Sequence, residues 1–210
     1  MTVLFLTLGF QESFQLRSIF RHGKESLSEV VLISPVESNE RVLAPMATIK
    51  NFCESINLKF SSKQVEVENI FRLIGQVSEI FYNHIDQDMI VNISGGMKIL
   101  HLGIILSLIN LKLNPLIELD FENQSGGVDE RLRDLLFYDL EKETRDTLIA
   151  VNKSINPGAS ITNFIHDSKA TIWRRLKRLE EQGYIKRNGK GTIIITKKGK
   201  LVLDILNLKF

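Results

Sequence analysis

The chain of 210 residues holds one cysteine, Cys53. That excludes a disulfide framework within it and a cysteine-rich metal site, and it fits a reducing cytoplasm. The chain also lacks an apolar run of the roughly 20 residues that a membrane-spanning helix needs. Its most apolar stretch, Ile99 to Leu111, falls short and contains His101, Ser107 and Asn110. No membrane role is expected. The apolar start, Thr2 to Leu8, has neither a basic leader nor an Ala-x-Ala-like exit, so it reads as a strand and not as a signal peptide. Two nucleotide fingerprints are missing as well. No Gly-x-Gly-x-x-Gly follows the first strand, and there is no Gly-x-x-x-x-Gly-Lys-Ser/Thr loop. His84 and His166 have no partners at metal-ligand spacing, so no metal is expected. Disorder is excluded by composition: 43% hydrophobic and 25% charged residues are those of an ordinary globular protein.

The net charge of +2 conceals an asymmetry. Residues 1–134 carry 12 Lys and Arg against 17 Asp and Glu, a net of −5, whereas residues 135–210 carry 15 against 8, a net of +7. A basic tail on an acidic body points to nucleic acid as the partner of the tail.

The body alternates strands and helices. Thr2 to Leu8 is a continuous apolar strand of the kind buried in a parallel sheet. A helix over Glu12 to Arg21 follows, then a strand from Glu29 to Ser34 that Pro35 stops. Glu40 to Asn57 reads as a helix, and Leu58 to Val67 holds a third strand, placed at its Val65-Glu66-Val67 end. Ile70, Leu73, Ile74, Val77, Phe81 and Ile85 mark a helix by their period. Met89 to Ile93 is the fourth strand, Ile99 to Leu111 the fourth helix, and Leu116 to Phe121 the fifth strand. This pattern predicts a doubly wound α/β sheet of strand order 3-2-1-4-5. Residues 1–122 form this sheet domain and 123–140 a linker, with Val128 to Leu140 undecided between helix and strand.

That order makes neighbours of two glycine-bearing turns, Gly9-Phe10 after strand 1 and Ser94-Gly95-Gly96 after strand 4. Both lie at the carboxyl ends of their strands, where such sheets bind ligands. The second turn belongs to Asn92-Ile93-Ser94-Gly95-Gly96-Met97-Lys98. Glycines let backbone approach a ligand, and the helix that follows offers unpaired N–H groups and a positive dipole end to an anion. A purely structural tight turn is the competing reading. Arg17 to His22 has the Arg-x-x-x-x-His spacing of one class of metal-independent ribonucleases, but those sites need an all-helical setting. His101 reads as a satisfied core histidine, and Glu118/Asp120 and Glu180-Glu181 as solvated or helix-supporting charges.

From Glu141 the pattern changes. Glu141 to Lys153, Ser160 to His166 and Lys169 to Gln182 read as helices, the last with Ser168 as N-cap and Gly183 as its stop. Tyr184–Arg187 and Thr192–Thr196 form a hairpin, and Lys197 to Leu208 a final helix. This is a winged helix-turn-helix arrangement over residues 141–210. Ile172, Leu176 and Leu179 make the apolar stripe of the longer helix. Ser168, Lys169, Ala170, Thr171, Arg174, Lys177 and Arg178 are candidates for contact with a DNA major groove. Arg175 lies beside the stripe in a structural place, and Trp173 flanks it half-buried. Lys186, Arg187 and Lys190 in the wing would meet phosphates or the minor groove.

The two turns, Leu8-Gly9-Phe10 and Asn92 to Lys98, taken with the carboxy-terminal winged helix, resemble the CRISPR-associated Rossmann-fold (CARF) transcription regulators of archaea. The resemblance spans nearly the whole chain, and Lys98 stands where that family shows Arg or Lys. It implies a homodimer whose paired turns form one cleft for a cyclic oligoadenylate, above all cyclic tetra-adenylate. A ligand of two-fold symmetry suits such an interface. Carried over by position, Gly9, Phe10, Ser94, Gly95, Gly96, Met97 and Lys98 line the cleft, with Thr7, Leu8, Asn92, Ser34 and Pro35 as weaker candidates. The expectation is a regulator of CRISPR genes and not an enzyme. The alternatives are slow cleavage of the ligand, or a winged-helix regulator that senses a mononucleotide or flavin.

Overall fold

The computed structural model describes residues 2–9, 12–36, 40–123, 125–136, 140–154, 165, 167–188 and 192–207. Two compact units divide the chain, 1–132 and 133–210.

The first unit is a Rossmann-like α/β layer structure. Its strands are β1 (Thr2–Thr7), β2 (Leu27–Pro35), β3 (Lys59–Val65), β4 (Asp88–Asn92), β5 (Leu116–Asp120) and β6 (Gly127–Arg131). They form a six-stranded sheet in the order β3-β2-β1-β4-β5-β6. The first five run parallel in the expected order, and β6 pairs antiparallel with β5. Between them lie α1 (Ser13–His22), α2 (Glu40–Ser55), α3 (Ile70–Tyr82) and α4 (Lys98–Asn110).

β1 sits at the centre because it is apolar on both faces. Leu4 and Leu6 pack with Ile19, Ile49, Cys53 and Ile90. On the other face Phe5 meets Phe81 of α3 edge to face, with ring centroids 4.8 Å apart. Each such buried side chain contributes about 1.5–3 kcal/mol. Helices α3 and α4 touch closely at Gly103, where a Cβ would come within 2.6 Å of Leu73. Cys53 is fully buried, and burial pushes its thiol up to about 11.

Two sequence expectations are corrected here. The third strand is Lys59–Val65, not the Val65-Glu66-Val67 end of its segment. Its polar side chains hid it, because an outermost strand does not need apolar residues on both faces. Within the stretch read as linker, Gly127–Arg131 is a strand of the sheet.

The second unit holds α5 (Leu132–Leu135, which begins at the division), α6 (Lys142–Ser154), α7 (Lys169–Glu181), the antiparallel pair β7 (Ile185–Arg187) and β8 (Ile193–Ile195), and α8 (Lys197–Asn207). The helix expected over Ser160 to His166 falls almost entirely outside the described residues. The core joins Leu148, Val151, Ile172, Leu176, Leu179, Tyr184, Ile195 and Val202. Ser168 caps α7, its hydroxyl accepting from Thr171 N at 3.2 Å. Lys198 is buried, its Nζ donating to the Arg133 carbonyl at 2.8 Å and lying over the Tyr184 ring. Burial pulls its pKa down.

Candidate functional site

The two glycine turns meet backbone to backbone. A Cβ on Gly9 would lie 2.8 Å from Gly96 N, and one on Gly96 would lie 2.9 Å from the Leu8 carbonyl. Gly96 also has φ +103°, a region side chains rarely adopt. The close approach and the positive φ together require glycine there. The turn is held from three directions. Gln15 of α1 donates to the Thr7 carbonyl. Thr7 Oγ1 donates to the Gly95 carbonyl, which His101 Nε2 of α4 also meets at 2.7 Å. Asn92 Oδ1 accepts from Ser94 N at 3.0 Å.

β5 holds the turn as well. Ser94 Oγ accepts from Asp120 N at 2.8 Å and lies 3.2 Å from Asp120 Oδ2 as a donor. Asn92 Nδ2 donates to Glu118 at 3.2 Å and to Asp120 at 3.1 Å. From α1, Ser18 donates to Glu118 at 2.7 Å, His22 Nε2 lies 2.6 Å from Glu118, and Arg21 pairs with both acids. Burial pushes both carboxyls up. Hydrogen bonds and the cationic neighbours outweigh it and hold Glu118 and Asp120 below the usual carboxylate range.

The expectation that Glu118 and Asp120 are solvated is therefore wrong: their side chains are 1% exposed. Alternation along β5 puts both acids on the face that α1 covers, where Arg21 meets them. His101 is satisfied, as expected, and its partners are the turn itself. Of the Arg-x-x-x-x-His pair, His22 is held by Glu118, while Arg17 lines, with Arg21 and Asp120, a cavity of about 350 Å³ at the end of β5.

Of the residues expected to line a ligand cleft, Gly9, Gly95 and Gly96 form the close approach. Met97 and Lys98 are exposed where α4 begins. Thr7, Leu8 and Asn92 are buried beneath the turn. Ser34 and Pro35 end β2 and are buried. Phe10 lies outside the described residues. Arg21, Glu118 and Asp120, which sequence reasoning missed, support the turn. Among the described residues no His, Cys, Asp and Glu group has the geometry of a metal site. No helix there is long and apolar enough to cross a membrane.

In the second unit Lys169, Ala170, Arg174, Lys177, Arg178 and Lys186 are exposed. Arg175 pairs with Asp167 at 2.7 Å, a structural place. Arg178 pairs with Glu141 at 2.7 Å and Arg187 with Glu180 at 3.4 Å within the unit. Lys177 Nζ lies 3.7 Å from Glu181 and 5.9 Å from the exposed Trp173 ring. Lys190 lies outside the described residues.

Compared with known families, residues 2–131 match the Csa3 CRISPR-associated Rossmann-like domain, which is more than half of the chain. The chain belongs to this family. No curated protein matches it. Solved structures similar to it include Can2 from Sulfobacillus thermosulfidooxidans in complex with cyclic tetra-adenylate (15% identity, 95% of this chain and 62% of that one, TM-score 0.47). They also include Enterococcus italicus Csm6 bound to cyclic hexa-2'-fluoro-hexa-dAMP (14% identity, 86% and 54%, TM-score 0.43). A third is a type III CRISPR defence DNA nuclease activated by cyclic oligoadenylate (11% identity, 92% and 36%, TM-score 0.44). The chain spans about three fifths or less of the length of each. One of these similar proteins is described as a DNA nuclease, so the expectation that this chain is not an enzyme does not stand; the nuclease activity is that protein's own.

Proposed function

We propose that the chain is a ligand-responsive transcription regulator of CRISPR genes, of the archaeal type. Its sheet unit binds a cyclic oligoadenylate, above all cyclic tetra-adenylate. The observation that carries this reading is the meeting of Gly9 with Gly95-Gly96 at the point where strand order reverses, with Lys98 exposed beside it. Membership of the Csa3 family supports it, and so do the cyclic ligands named for Can2 and Csm6. Two copies face each other, and their turns make one two-fold cleft. Backbone N–H groups and Lys98 meet the phosphodiesters.

The second unit acts as a winged helix-turn-helix, with α7 in the major groove and β7–β8 as the wing. The exposed Lys169, Arg174 and Lys177 on α7 and the net charge of +7 over residues 135–210 support this. Ligand in the cleft alters the spacing of the two recognition helices, and so DNA affinity. Lys98→Ala should weaken cyclic tetra-adenylate binding about tenfold or more and leave ligand-free DNA binding intact. Arg174→Ala should weaken DNA binding by about 1–3 kcal/mol and spare the ligand. Coupling is reciprocal, so equal ligand affinity with and without operator DNA would overturn the switch.

A further inference from the structure

The Gly95 carbonyl meets two side-chain donors, Thr7 Oγ1 from the end of β1 and His101 Nε2 from α4, the latter at 2.7 Å. Thr7 is 1% exposed. A carbonyl oxygen can only accept, so Nε2 of His101 carries the proton at this contact. The described chain has no cis peptide, and a trans peptide holds its C=O and N–H on opposite sides. Fixing the Gly95 oxygen against Thr7 and His101 therefore aims the Gly96 N–H the other way. There it lies over Gly9, whose missing Cβ would stand 2.8 Å from Gly96 N. Among the described residues no acceptor meets this N–H.

We propose that His101 and Thr7 are positioning residues that preset the Gly95–Gly96 peptide, so that Gly96 N–H donates to a phosphodiester oxygen of the ligand. The identity of that ligand rests on the function proposed above, while the preset of the peptide does not. Lys98 and His101 share the first turn of α4. The exposed lysine supplies charge and the histidine supplies direction. A donor held in place before binding does not have to be ordered by the ligand, which is how a backbone amide competes with water for a phosphate.

The test uses the full chain with His101→Phe, which removes the donor, and His101→Gln, whose amide nitrogen can occupy the Nε2 position. Thr7→Val and Thr7→Ser form a second pair in case the phenylalanine does not fold. In ligand-free protein, the Gly96 amide resonance should move in His101→Phe and return toward wild type in His101→Gln. With cyclic tetra-adenylate as the probe, Kd should rise about tenfold in His101→Phe and fall back to within about threefold of wild type in His101→Gln. An unmoved Gly96 resonance, or an unchanged Kd, in folded His101→Phe overturns the proposal. So does a folded His101→Gln that restores neither. If wild type does not bind cyclic tetra-adenylate, the ligand assignment fails, and the Gly96 resonance still decides the positioning role.

Discussion

Arg21→Met would take away the guanidinium that pairs with Glu118 and Asp120 and keep most of the alkyl stem. Both acids have side chains 1% exposed, so they cannot turn to bulk water. Removing one partner of a fully buried pair costs about 3–5 kcal/mol. The Arg21 side chain is 37% exposed, so solvent can reach the vacated place and screen the acids, which lowers the expected cost. Ser18, His22, Asn92 and Ser94 also remain as partners. A loss of about 1–3 kcal/mol at pH 7 follows, which corresponds to a fall in Tm of about 4–10 °C for a unit of this size.

The pH dependence has a definite sign. In wild type both carboxyls titrate below their ordinary values. Their contribution is present above the unfolded pKa values of about 4, and it is lost as pH falls through the lower folded values. Without Arg21 the carboxyls bind protons more readily. The deficit of the variant should therefore hold near its pH 7 value down to about pH 5 and narrow as pH falls through about 4 toward 3. Calorimetric unfolding of both proteins across this range measures it. A loss under about 0.5 kcal/mol at pH 7, or a deficit that grows on acidification, would refute the reasoning.

Gly96→Ala should destabilise the sheet unit by about 1–3 kcal/mol and abolish ligand binding, since alanine at φ +103° is strained and its Cβ meets the Leu8 carbonyl at 2.9 Å; denaturant unfolding and ligand titration check this. Ser168→Ala removes the cap of α7 and should lower the stability of the second unit by about 1 kcal/mol. A calorimetric scan in which that unit unfolds at the wild-type temperature would contradict it.

The strand order and the meeting of Gly9 with Gly95-Gly96 could be read from sequence, because buried parallel strands are written as uninterrupted apolar runs. The stripe of Ile172, Leu176 and Leu179 was equally legible. The ion-pair network was not. Glu118 and Asp120 look like the polar positions of a half-exposed strand, and the arginine that buries them lies about a hundred residues away, on α1. β6 was hidden for a related reason: Val128-Asp129-Glu130-Arg131 is mostly charged, and only its pairing with β5 makes it a strand. Arg178 carries the right charge for a DNA-facing helix, yet Glu141 on another segment engages it.

The outermost strands have a consequence for how the sheet behaves in crowded surroundings. β3 exposes Lys59 and Lys63, and β6 exposes Asp129 and Arg131. A foreign strand approaching either side would have to strip water from these charges before gaining a ladder of hydrogen bonds. Mostly parallel sheets assemble slowly, from pairings distant in sequence. During that interval the charged borders discourage one half-made chain from templating another, so width is limited by chemistry before folding is complete.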